Sequence, residues 1–394
     1  MNRGIRCLGG VLLLLALPML CAGEDVVAFL EGASTRGTVE AIDADGTVHL
    51  SDGSSTVMDD LYQIINGSGQ TAEDIAPLRV ELLDGSVFLA TTLEIIDEEC
   101  HVGWRYDRAL KIGLDHVRSF RLKGDVAKNS YQRALRSKRE EYDQLWIEVN
   151  GDLQMVKGVI EKVDADTIEF EWEEEKRQFG REQVYAIVTA DIVDVDRPEN
   201  AALVELSDGS RISGENLELK DDTLHLTYLG GRPLQFPWRY ITRITVNTGR
   251  LAFLSDLQPT SIRQKMIVAP ARSWQRDRSV VQQAMKVGGR AFRKGIGMTS
   301  GTQLKFLAGA QYDFLNATIG IDDGTNGRGD CIFVVTGDGE ELYRQAMRGG
   351  DRARDIKLNV GGIDQVALTV EYGDDLDLSD HANWGDIRLV KGKK

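Results

Sequence analysis

Val80-Glu81-Leu82-Leu83-Asp84-Gly85-Ser86 returns further along the chain as Val204-Glu205-Leu206-Ser207-Asp208-Gly209-Ser210. Each copy alternates apolar and polar residues and then runs into an Asp-Gly turn, the signature of a half-buried strand entering a hairpin. The echo continues downstream. Asp222-Thr223-Leu224-His225-Leu226 has relatives in Asp166-Thr167-Ile168-Glu169-Phe170 and in Asp45-Gly46-Thr47-Val48-His49-Leu50, each a turn followed by a strand with every second residue apolar. Four units emerge, each closed by an apolar pair: Leu61 and Ile64, Val117 and Phe120, Val184 and Ile187, Ile241 and Ile244. The period is about 57 residues, stretched by about ten between the second and third units.

A unit of about five short strands is too narrow for a sandwich, so the expected closure is a small, strongly bent barrel. The Leu-x-Asp-Gly-Ser and Asp-Asp-Thr-Leu pattern resembles SH3-like or Sm-like barrel repeats. The extra chain between units two and three holds residues 130–142, rich in Arg, Lys and Glu and free of Gly and Pro, and predicts one linker helix. Its Arg133, Arg136, Lys138 and Arg139 read as a solvated face paired with Glu140, Glu141 and Asp143.

The ends of the chain carry different information. Arg3 and Arg6 precede an apolar run at 11–20 and the small residues Ala22 and Gly23, the order of a secretory signal, so residues 1–23 are expected to be removed and the protein to be secreted or periplasmic, with no membrane span thereafter. Leu20 before Cys21 argues against a lipid anchor. Cleavage would leave 45 basic against 62 acidic residues, a charge of −17, which disfavours nucleic acid as a partner. The two remaining cysteines, Cys100 and Cys331, fall in different expected domains and read as buried thiols.

After Arg250 the texture changes. Runs at 303–307, 312–321, 331–336, 341–345, 355–359, 366–370 and 386–390, separated by Gly and Asp turns, predict a β-sandwich of jelly-roll, galactose-binding-like form. Five blocks follow in order: Gly295-Ile296-Gly297; Phe314 with Gly320-Ile321-Asp322-Asp323; Gly337-Asp338-Gly339; Gly361-Gly362; and Asp380-His381-Ala382-Asn383-Trp384. Together they resemble the NPCBM/NEW2 family over residues 254–390. The resemblance implies affinity for carbohydrate, galactose-type sugars first. It also marks Thr299-Ser300 as a departure, because family members commonly carry a histidine there.

A sugar site needs an aromatic face and a few fixed polar groups. Asp380, His381, Asn383 and Trp384 offer both in one apparent loop, and Thr299, Asp322 and Asp323 complete the expected ligand-binding set; the alternative is that Trp384 plugs the sandwich end and Asp380 or His381 ties the loop down. Asp322, Asp323, Asp374, Asp375 and Asp377 make calcium a candidate cofactor without EF-hand spacing. None of the 5 histidines lies in a metalloprotease, zinc or nucleophile-elbow motif, so no catalytic residue is assigned.

The expected layout is therefore all-β: 24–124 a first pair of barrels, 125–144 the linker helix, 145–248 a second pair, and 250–394 the sandwich. The expected function is non-catalytic glycan binding. A cell-envelope assembly protein whose barrels and module contact protein partners is the alternative, with a glycoside hydrolase last.

Overall fold

The computed structural model describes residues 23–31, 34–69, 78–123, 131, 135, 141–190, 201–228, 231–267, 272–374, 376 and 378–393. The expected signal segment and the basic cluster at 133–139 lie outside these residues, as do Asp375 and Asp377. Of the expected linker helix at 125–144, residues 131, 135 and 141–144 are described: Tyr131 and Leu135 are helical, whereas Asp143 and Gln144 already belong to the strand Asp143–Val149, where the Asp143 carboxylate accepts from backbone N–H groups and does not pair with the basic face.

The described residues between 25 and 246 form four small barrels with one recurring build. In unit two the strands are Leu78–Leu82, Val87–Ile96, Glu99–Trp104, Leu110–Gly113 and Val117–Arg121, with a single 3-10 turn, Leu114–His116, before the last. The last strand pairs with the first, Phe120 opposite Val80, and this closes the barrel. Unit one closes through Ile64 opposite Val27, unit three through Ile187 opposite Leu145, and unit four through Ile244 opposite Val204. The recurring turns have a local cause. Asp97 and Glu98 in unit two, and Asp221 and Asp222 in unit four, both take positive φ, as two-residue hairpin turns that follow strand twist require. All eight closing apolar residues are buried, in one continuous core shared by the four units.

The sequence grouped units one with two and three with four; the ladders join them differently. The last strand of unit two pairs with that of unit three, Phe120 opposite Ile187, and the last strand of unit four pairs with that of unit one, Ile244 opposite Ile64. Second strands also touch, Ile95 with Val163 and Leu219 with Ile42. The two joints repeat one another.

Units two and four then meet through the repeated Asp-Gly-Ser turns. Val87 and Arg211 bridge, Ser210 Oγ accepts from the Leu89 N–H at 3.0 Å, and Ser86 Oγ accepts from the Ser213 N–H at 2.9 Å. Asp84 and Asp208 hold the serines, each accepting from the N–H and the hydroxyl of the serine two residues on. The motif that revealed the repeat is thus also the hook between its copies.

Units one and three share a second device. Asp25 accepts from the Val39 and Gly67 N–H groups, and Asp143 from those of Ile160 and Ala190. Each buried carboxylate satisfies backbone donors where the second strand bends and where the last strand ends. Burial raises the pKa of both carboxyls.

Residues 251–390 form a β-sandwich. One sheet runs Gln275–Arg276, Gly295–Met298, Ala382–Val390, Phe314–Ile321, Arg354–Asn359, with Leu251–Phe253 also paired to Ala382–Val390. The other runs Ser261–Gln264, Thr302–Leu307, Gln365–Tyr372, Asp330–Gly337, Glu340–Arg348. Their facing side chains, among them Phe306, Phe333, Leu368 and Trp384, build a core of their own. All seven strands expected here are present. Cys100 and Cys331 are both buried, and neither forms a disulfide.

The sandwich sits against unit one. Ala28, Leu30 and Tyr62 pack on Val390, with Leu251, Phe253 and Phe314 around them. The Asn316 side-chain amide donates to the Leu30 carbonyl at 2.8 Å, and the Arg388 guanidinium lies over the Tyr62 ring, 4.5 Å from its centroid. Burial pushes the Tyr62 phenol up to about 12 and raises the Asp386 carboxyl beside it.

Candidate functional site

The residues expected to bind ligand gather at one end of the sandwich, but not as a loop. Ala382–Val390 is a strand in the middle of its sheet, so Ala382, Asn383 and Trp384 are paired on both sides: Trp384 lies opposite Ile296 on one neighbour and Ile319 on the other. Trp384 is 0% exposed and meets Phe333 edge-on with centroids 4.9 Å apart. Its ring is a core element and presents no face to a sugar. Polar composition suggested a loop here; the two flanking strands are what draw these residues into the sheet.

Asn383 is also fully buried. Its amide donates to Asp322 Oδ2 at 2.6 Å, and Asp322 accepts in addition from the Gly324 and Lys286 N–H groups. Asp323 faces elsewhere, taking the Gly288 and Gly289 N–H groups at 2.7 and 2.8 Å and so fastening the hairpin of Met285–Val287 and Arg290–Phe292. Asp380 is buried and accepts from the Asp330 N–H at 2.9 Å. Among the described residues no group of three or more His, Cys, Asp or Glu side chains is placed to hold a metal ion.

The first glycine block is structural for the same reason. Gly295 has φ of 147°, and a Cβ there would lie 2.4 Å from the Trp384 carbonyl oxygen; one on Gly297 would lie 2.4 Å from that of Arg278. Glycine lets these backbones approach.

His381 borders what remains open, and Thr299 lies buried behind it, 3% exposed. Thr299 Oγ1 lies 3.4 Å from Thr302 Oγ1 and accepts from Gln264 Nε2 at 3.4 Å; the same Gln264 amide donates to the Arg272 carbonyl. His381 is half-buried beside Asp322, whose N–H donates to the His381 carbonyl at 2.8 Å. Burial first, and the Arg272 charge second, lower the His381 pKa, with Asp322 opposing them. Arg272 and Gln264 are exposed, and the partly exposed Trp274 ring lies 5.2 Å from the Arg276 guanidinium carbon. The open end thus offers an imidazole, a guanidinium and an amide, with the partly exposed Trp274 two residues along the chain from Arg272. Sequence reasoning missed Arg272 and Gln264, which lie in no motif block.

A lowered histidine pKa favours the neutral ring in the folded state. The stability it contributes is present above the free-imidazole value of 6.5 and is lost as pH falls through the lower folded value. Melting temperature should therefore drop on acidification below 6.5 by more in the native chain than in His381→Gln. Parallel melting curves between pH 7 and 5 check this.

Residues 250–390 match the NPCBM/NEW2 domain. The match spans the sandwich and stops where the barrels begin. The chain is 28% identical over 148 residues to a Renibacterium salmoninarum protein named "Putative endo-alpha-N-acetylgalactosaminidase", the aligned part being 35% of this chain and 9% of that protein. Among solved structures, a CBM51 module from Clostridium perfringens in complex with methyl-galactose is 23% identical, covering 36% of this chain and 99% of that one with a TM-score of 0.33. The tandem CBM51 modules of a family 98 glycoside hydrolase from Streptococcus pneumoniae are 12% identical, covering 82% of this chain and 96% of that one with a TM-score of 0.32.

A cavity lies away from this end of the sandwich. It measures about 810 Å³ at the junction with unit one, lined by Phe29, Glu31, Asp60, Arg250, Phe314 and Lys393 among others. Its charges are already engaged across the junction: Arg250 with Glu31 at 3.5 Å and Asp60 at 3.8 Å, and Lys393 with Asp60 at 2.7 Å. They serve docking, and the open end of the sandwich remains the better candidate.

Proposed function

We propose that this chain is a secreted or periplasmic, non-catalytic glycan-binding protein. Sugar is held at the sandwich end by His381, Arg272 and Gln264 with Trp274 nearby in the chain and Thr299 buried below them, and the four barrels act as a platform. The observation that carries this reading is the match of residues 250–390 to the NPCBM/NEW2 domain, which takes in the whole sandwich. The chemistry fits: a guanidinium and an amide meet hydroxyls, an imidazole kept neutral both donates and accepts, and the partly exposed Trp274 indole adds apolar surface. Galactose-type sugars are the first ligands to try, with calcium as a variable.

The test is retention of the full mature chain on an array of galactosides and N-acetylhexosamines, with and without calcium. Arg272→Ala and His381→Ala should each weaken binding roughly tenfold or more, the worth of a lost hydrogen bond to a charged or well-placed group. Binding unchanged in both variants would remove the site from this end. No retention on any glycan would end the reading and favour protein contacts in the envelope; turnover of a retained glycan would overturn its non-catalytic part.

A further inference from the structure

Where the sandwich meets unit one, the outer face of its sheet carries an array of polar side chains. Alternation along Phe314–Ile321 sends Leu315, Ala317 and Ile319 into the core and Asn316 and Thr318 to the other face. Asn316 lies between Arg388 and Lys357 on the neighbouring strands, and Thr318 lies opposite Asp355. The ladder with Ala382–Val390 shifts register between Asn316 and Thr318, and Asp386 stands at that bulge with a left-handed backbone, φ 46°. Bulges of this kind re-aim a side chain.

These residues line a cleft of about 180 Å³, with Ala28, Phe29, Ser34 and Tyr62 of unit one as its other wall. That is the share of about six waters, or room for one ring-sized molecule. Its charges are already matched. Arg290 Nη1 lies 2.9 and 3.0 Å from the two Asp355 carboxylate oxygens, and Lys357 Nζ lies 3.2 Å from Glu31. Burial raises the Asp386 pKa, and the Arg388 charge is the strongest influence opposing it. An added cation or anion would meet a like charge; a neutral molecule does not. Two buried atoms have no hydrogen-bond partner among the described residues: the acceptor Asn316 Oδ1 and the donor Arg388 Nε, on directly opposed residues. A hydroxyl, which both donates and accepts, suits the pair. Phe29, partly exposed, supplies apolar surface for C–H groups.

We propose that this cleft is a second small-molecule site, which takes a neutral polyhydroxylated molecule of about monosaccharide size between the sandwich and unit one. Its hydroxyls meet Asn316, Asp386 and Arg388, and its C–H surface lies against Phe29. The site shares no residue with the open end of the sandwich.

Isothermal titration calorimetry on the full mature chain carrying both Arg272→Ala and His381→Ala tests it. That background lacks the open-end groups, so the result does not depend on the open-end site. Methyl galactoside, glucose, N-acetylglucosamine and glycerol are the probes, and at least one is expected to bind once per chain. Asp386→Asn, which removes a charged acceptor, and Ser34→Trp, which fills the cleft from an exposed position, should each raise the dissociation constant at least tenfold. Circular dichroism and melting temperature confirm that each variant keeps its fold. Binding indifferent to both folded variants, no binding of any probe, or a soaked crystal with water alone in the cleft overturns the proposal.

Discussion

Trp384→Ala lowers the unfolding free energy of the sandwich by about 3–5 kcal/mol, the range for deleting a buried indole. The ring has zero exposure, sits on a strand paired on both sides and contacts Phe333, so its neighbours cannot collapse into the space. Its indole N–H has no hydrogen-bond partner among the described residues. Trp384→Phe should therefore cost clearly less than the alanine change, because it keeps a ring and strands no donor. Urea titration of the three proteins measures the order. An alanine variant as stable as the native chain would show that the ring is not a core element. Loss of glycan binding in Trp384→Ala alone would report weakened packing and would not locate a site.

Asp322→Ala comes next, at about 3–4 kcal/mol, because one buried carboxylate answers three donors: the Asn383 amide and the Gly324 and Lys286 N–H groups. Removing it leaves the fully buried Asn383 amide with only the Lys286 carbonyl, at 3.5 Å, to accept from it and loosens the hairpin that begins at Met285. Asp322→Asn keeps the volume and one acceptor, so it should fall between. Thermal melts of the two variants check the order, and equal losses would mean that volume, not hydrogen bonding, sets the cost. Neither variant tests ligand contact, because Asp322 is itself buried.

The repeat was legible because its signals are local. A period-two strand and an Asp-Gly turn reveal themselves within seven residues, and so do the closing pairs of each unit. Asp25 and Asp143 were not legible, since their role depends on backbone donors brought from 14 to 47 residues away. The joining of unit one to four and two to three carries no periodicity, because one strand edge resembles another until both are folded. At the sandwich end, polarity was a poor guide to exposure. Asp380, Asn383 and Asp322 read as a ligand set but spend their hydrogen bonds inside the fold, while Arg272 and Gln264 stand open without a motif to announce them.

The joint between units one and four also bears on how the chain is made. Ile64 is synthesised about 180 residues before Ile244, the residue it faces, which at ribosomal speed is a delay of about 10–40 s. Unit one therefore waits with a sheet edge bare while units two and three complete themselves beside it. A chain cut short before residue 241 keeps that edge for good, and such fragments should aggregate where the whole chain does not. The last unit thus seals the first.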